Sequence, residues 1–233
     1  MVMRFKLVPF VFLFCFCSSC TSQVPLRVRK NFTFCYDSSA NCSNSKIKLN
    51  GYYVNIEPFE RPYYDLKTGK KTGTTKDTTY NNMMFFSDGI VVRGFVGINC
   101  GNCDIESNNQ FLFNISQSNE NEKNVFYNGF KWGIFRIFGD TIKMQTVNDQ
   151  PRFNPYWYLF EQWYLINNDG SLSPIYSKNL IDGRVSALAS KTRDTFKFIE
   201  TNIILPSDTW LKKEEWFWCD REKYREWKND NKK

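Results

Sequence analysis

The chain has 233 residues, a formal charge of +7 and no histidine. Without imidazole, Ser-His-Asp hydrolysis, Cys-His proteolysis and His-ligated zinc are excluded. Lys and Arg are scattered, which reads as a solvated surface rather than a nucleic-acid stripe, and 22 Phe, 12 Tyr and 7 Trp favour strands with large buried area.

Met1 to Lys6 carries Arg4 and Lys6, and an apolar run follows from Leu7 to Cys17, then Ser18, Ser19 and Cys20. A basic start, a short apolar core and small residues make a secretory signal over residues 1–19. The core is too short to span a bilayer. The small-small-Cys ending resembles the bacterial lipobox, although Cys17 stands where an aliphatic residue is usual. That resemblance implies acylation of Cys20 with more than one chain, enough for stable anchoring. Residues 20–46 then form a polar, lipidated tether. No acidic run follows Cys20, which favours the periplasmic face of the outer membrane.

A β-domain is expected over residues 47–205. Ile47 to Ile56 is aromatic and β-branched. Residues 57–79 are polar and Thr-rich, and read as a mobile loop. Met83 to Phe86, Ser87-Asp-Gly89 and Ile90 to Phe95 read as a hairpin. Residues 99–122 interrupt the pattern. Trp132 to Gln145 is the clearest hairpin, turning at Gly139-Asp140. Tyr156 to Ile166 turns at Asn168-Asp-Gly170 into Leu172 to Tyr176, and Thr195 to Ile199 is a further strand. Successive hairpins predict an all-β, mainly antiparallel, up-and-down meander closing into a barrel. Residues 206–233 form a C-terminal helical segment. Ser207 or Asp208 is its expected cap, and Trp216, Cys219, Lys223 and Trp227 share a face at helical spacing.

After export, five cysteines remain besides Cys20: Cys35, Cys42, Cys100, Cys103 and Cys219. Cys35 and Cys42 are close enough for a local bridge. Cys100-Gly-Asn-Cys103 sits among turn residues, without the strand–helix context of a redox motif. A zinc site borrowing Cys35 and Cys42 has the wrong spacing. A loop-clamping disulfide suits an oxidising compartment, so Cys35, Cys42, Cys100 and Cys103 are the disulfide candidates. No metal or other cofactor is expected.

The Trp132-Gly133-Ile134-Phe135-Arg136-Ile137 strand with its Gly139-Asp140-Thr141-Ile142 turn resembles an element of lipocalin-like lipoproteins of Bacteroidetes. So do Ser87-Asp88-Gly89 after a Phe-Phe pair and the ending from Trp210 to Trp218. The likeness runs over about residues 47–218. It implies a lipocalin-like barrel with a small apolar ligand.

The expected function is non-catalytic binding of a small apolar or amphipathic ligand by a monomeric lipoprotein of the bacterial envelope. No nucleic acid is expected as a partner. Alternation assigns Trp132, Ile134 and Arg136 to one wall, and Tyr158, Phe160, Gln162 and Tyr164 to another. The alternative is a structural or interaction protein that meets a protein or glycan through exposed aromatics. Glu161 with Asp140 or Asp169 would be needed for glycosidase-like acid–base chemistry, and no pair has diagnostic spacing.

Overall fold

The structure, a computed structural model, describes residues 24–39, 46–95, 104–119, 123, 126–127, 129–148, 157–186, 195–203 and 205–231, with backbone alone at 58, 59, 61, 77 and 79. The segment expected to be a signal peptide, together with Cys20, Cys42, Cys100 and Cys103, lies outside the described residues.

The described residues form nine strands: β1 (Gly51–Tyr64), β2 (Lys71–Phe85), β3 (Ile90–Arg93), β4 (Lys131–Phe138), β5 (Thr141–Asn148), β6 (Tyr158–Ile166), β7 (Leu172–Asn179), β8 (Val185–Ser186) and β9 (Lys197–Glu200). They form one sheet in the order β8-β7-β6-β5-β4-β3-β2-β1-β9, and every pairing is antiparallel. The meander from β1 to β8 follows from tight turns between alternating strands. At the β4–β5 turn, Gly139 has φ +60°, a conformation that side chains resist.

The sheet does not close into a barrel. Its edges are β8, with two residues, and β9, with four. Strands this short offer no long ladder. Among the described residues one bridge, Leu172 to Phe196, joins β7 to the residue before β9 through two backbone hydrogen bonds of 2.9 and 2.8 Å.

The two faces carry separate cores. On the inner face, Tyr53, Met83, Phe85, Val91, Phe135, Ile142, Met144, Tyr164 and Leu172 come from seven successive strands and meet in one buried cluster. On the outer face, Tyr52, Val54, Met84, Val92, Trp132, Ile134, Val147 and Leu159 pack under a cover of helices and terminal segments. The cover includes α1 (Leu26–Asn31), α2 (Ile105–Gln117) and α3 (Arg221–Asp230).

Two expectations are corrected, and the expected interruption at 99–122 proves to hold a helix. Residues 57–79 are not a loop. β1 continues to Tyr64 and pairs residue by residue with β2, around a turn where Asp65 Oδ1 accepts from the Lys67 and Thr68 amides at 2.8 and 2.7 Å. This ribbon is polar because it is exposed, so alternation does not betray it. Within 99–122, Asp104 caps α2 by accepting from Ser107 N at 2.8 Å, and Asn108, Leu112 and Ile115 bury one face of that helix. Near the C-terminus, Thr209 caps a 3₁₀ turn at Trp210–Lys213, and a second follows at Glu215–Phe217. The helix starts only at Arg221, where Asp220 accepts from Glu222 N at 2.8 Å. Trp216 and Cys219 therefore precede the helix, while Tyr224 and Trp227 on it pack on Trp218.

Cys35 does not bridge to Cys42. It is bonded to Cys219, 184 residues away. The Tyr36 amide donates to Phe217 O, and the Cys219 amide donates to Tyr36 O, so backbone pairing aligns the two cysteines.

Candidate functional site

The predicted wall residues divide between the faces. Trp132 is fully buried on the outer face, where its indole donates to Phe126 O at 3.3 Å. Ile134 lies in the same outer core. Arg136 stands over the Phe34 ring at 5.1 Å. None of these three borders the inner face. Tyr158, Phe160, Gln162 and Tyr164 share the inner face through their register with Asn148, Thr146, Met144 and Ile142. Tyr158 and Phe160 are half-buried and stacked at 6.0 Å.

Arg93 is the residue that chain-order reasoning missed. In Ile90-Val91-Val92-Arg93, alternation sends Val91 and Arg93 inward, since Val91 joins the inner cluster and Arg93 pairs with Met83. Its signal is a lone cation at the end of a β-branched strand. Arg93 Nη1 donates to Gln162 Oε1, and its guanidinium stands 6.0 Å from the Tyr164 ring centre. The row between them is small: Val91 pairs with Gly133, which pairs with Thr146. A Cβ on Gly133 would lie 1.8 Å from Gln145 O, so this position must stay bare.

Arg93 Nε is buried and has no hydrogen-bond partner among the described residues. Lys131, its cross-strand partner, shares the face. The Lys131 pKa is pulled down by desolvation and then by the Arg93 charge. The residue is nevertheless exposed overall, so its ammonium stays within reach of a ligand. Neither cation makes an ion pair among the described residues. The two cations make this end of the inner face electropositive, chemistry that suits an anion.

The carboxylates weighed for acid–base chemistry have structural partners. Glu161, on the outer face, accepts from Gln145 Nε2 at 2.8 Å and Trp163 Nε1 at 3.1 Å. Gln145 in turn accepts from the Thr33 and Phe34 amides, docking the N-terminal segment. Asp140 pairs with Lys46, and Asp169 caps the β6–β7 turn through Ser171. Glu161 thus does not face either aspartate across a cleft.

A second polar cluster centres on Asp88 in the β2–β3 turn. Its Oδ2 accepts from Tyr36 OH at 3.1 Å, Ser207 Oγ at 2.6 Å and Lys212 Nζ at 3.0 Å. Lys212 also donates to Ser207 at 2.9 Å and lies over the Tyr36 ring. Desolvation, followed by the Asp88 charge, raises the Tyr36 pKa. Asp88 and Ser207 line a cleft of about 400 Å³ with Met84, Phe86 and Leu205. Lys212 Nζ is held between Asp88 and Ser207, donating to both, so the contact is an ion-pair clamp. The cluster binds the sheet to both terminal segments. No protein-family model, curated protein or solved structure matches this chain.

Proposed function

We propose that the chain is a binding module built on an open, curled antiparallel sheet and held at the bacterial envelope by acylated Cys20, whose inner face takes a small acidic amphiphile. The observation that carries this reading is the orphaned Arg93 Nε beside Lys131 on the inner face. A carboxylate or phosphate head satisfies both groups. Lys131 lies in register with Asn148, and Asn148 with Tyr158, so the Tyr158–Phe160 stack is roughly 10 Å from the Lys131 backbone at ordinary strand spacing. That stack supplies a surface for an alkyl tail. The deeper floor is closed, since Met83, Phe135 and Met144 are fully buried among themselves. The tail therefore lies along the upper wall.

Titration of the full chain with laurate and with dodecanol tests this. Laurate is expected to bind at least tenfold tighter, since a charge-assisted hydrogen bond contributes about 1.5–3 kcal/mol. Equal binding of the two removes the role given to Arg93 and Lys131, and binding of neither removes the ligand site.

A further inference from the structure

We infer that the β1–β2 ribbon docks its tip on a bilayer containing anionic lipid. β3 pairs with β2 only at Met83–Phe85, and β9 pairs with β1 only at Gly51–Val54. Just beyond those rows Asn55 donates to Thr195 O, Asn82 accepts from the Gly94 and Phe95 amides, and Tyr80 joins the outer core; past the Ile56–Tyr80 pair, β1 and β2 pair in the sheet only with each other. Tyr53 is level with Met83, and Met83 with Arg93, so the stretch from Tyr53 to Tyr64 carries the tip roughly 35 Å past the Arg93 level at strand rise. An isolated two-stranded ribbon is marginally stable in water. The outer part of the ribbon, from Glu57 to Tyr64 and roughly 25 Å long at strand rise, pairs with no strand of the sheet but its partner, and it calls for a surface to meet.

The tip chemistry selects that surface. Tyr63, Tyr64 and Leu66 are 53%, 57% and 103% exposed. Beside them Lys67, Lys70 and Lys71 are exposed and make no ion pair among the described residues. Asp65, the acid of the turn, is bound by the Lys67 and Thr68 amides. Tyrosines suit the interfacial layer, Leu66 suits the acyl boundary, and the lysines suit anionic headgroups. Addition of a partner strand fits less well. Pro58 and Pro62 remove donors from β1, Lys71 and Lys76 load β2 with charge, and a register shift breaks the ribbon at Tyr63/Tyr64. The tip rises from the end of the sheet that carries Arg93 and Lys131. The inference stands on the ribbon alone and does not require the ligand reading.

The test compares binding of the full chain to phosphatidylcholine vesicles and to vesicles that also contain phosphatidylglycerol. The anionic preference is expected to fall about a hundredfold in the Lys67→Glu, Lys70→Glu, Lys71→Glu variant, and in wild type at high salt. Leu66→Asp is expected to weaken binding to both vesicles. Any contribution of the apolar N-terminus is common to all samples, so the ratio between vesicles is the readout. Amine acetylation followed by mass spectrometry locates the contact: anionic vesicles should protect Lys67, Lys70 and Lys71 several-fold, and neutral ones should not. An unchanged ratio in the triple variant, or unprotected tip lysines, overturns the inference. These substitutions are at exposed positions, and unchanged circular dichroism checks that folding is intact.

Discussion

Arg93 on β3 and Gln162 on β6 stand three strands apart in the sheet, and their side chains hydrogen-bond across its inner face. A flat sheet would hold these strands about 14 Å apart. The contact therefore shows how strongly the sheet curls, even though its ladder stays open. It also leaves Arg93 Nε without a partner. A buried donor left unsatisfied is a liability to the fold.

That liability yields the first prediction. Arg93→Met removes the orphaned donor and one of two adjacent cations, so the melting temperature should hold or rise by a few degrees. Laurate affinity should fall roughly 10- to 100-fold. Calorimetry and ligand titration on the same variant read both. A loss of several kcal/mol of stability without loss of binding would make Arg93 a purely structural residue.

The Cys35–Cys219 bond closes 184 residues of chain. In the chain-entropy account, a loop of that size stabilises by about 5 kcal/mol. Cys35→Ala, Cys219→Ala and the double variant should each lose a similar amount, because all three remove one bond. Denaturant unfolding measures the loss, and non-reducing peptide mapping should recover the linked pair. If the double variant lost twice as much as either single one, each cysteine would be acting through packing of its own.

Asp88 and Lys212 form the most buried ion pair among the described residues, with side chains 22% and 8% exposed. Asp88→Ala should destabilise by about 3–5 kcal/mol, because it leaves Lys212 charged and uncompensated. The double variant Asp88→Ala, Lys212→Met should recover much of that. Chemical denaturation of the set forms a double-mutant cycle. Additive effects would show that the two groups do not act together.

Burial raises the pKa of Tyr36, Tyr52, Tyr53, Tyr80, Tyr127 and Tyr164, with desolvation the largest cause at each. Asp88 and Asp208 add to the effect at Tyr36, and Asp208 at Tyr127. A raised folded-state pKa means that the fold favours the neutral phenol. The stability this contributes is fully present below the unfolded tyrosine value of about 10 and is lost as pH rises toward the folded values. Absorbance at 295 nm should therefore show only part of the tyrosines ionising reversibly, the rest appearing with cooperative alkaline unfolding. Smooth ionisation of all tyrosines while near-ultraviolet circular dichroism stays native would contradict the buried placements.

Local chemistry made much of the sheet readable before any contact was known. Gly89, Gly139 and Gly170 mark turns that require positive φ, and strand parity follows from a period of two, so the β2–β3, β4–β5 and β6–β7 hairpins stand where turn residues and alternation put them. Parity says which residues of one strand share a face. It does not say which faces of different strands meet, and so Trp132, Ile134 and Arg136 fell opposite Gln162 and Tyr164. The 57–79 ribbon and α2 were hidden because polar composition masks exposed strands and Asn-rich helices alike. Contacts spanning 69 residues for Arg93 with Gln162 and 184 for Cys35 with Cys219 depend on curl and on the docking of terminal segments. Turn geometry and side-chain period are properties of neighbouring residues, and the sequence determines them alone; the inner face, the disulfide partner and the unsatisfied guanidinium come from long-range packing, which only the tertiary structure decides.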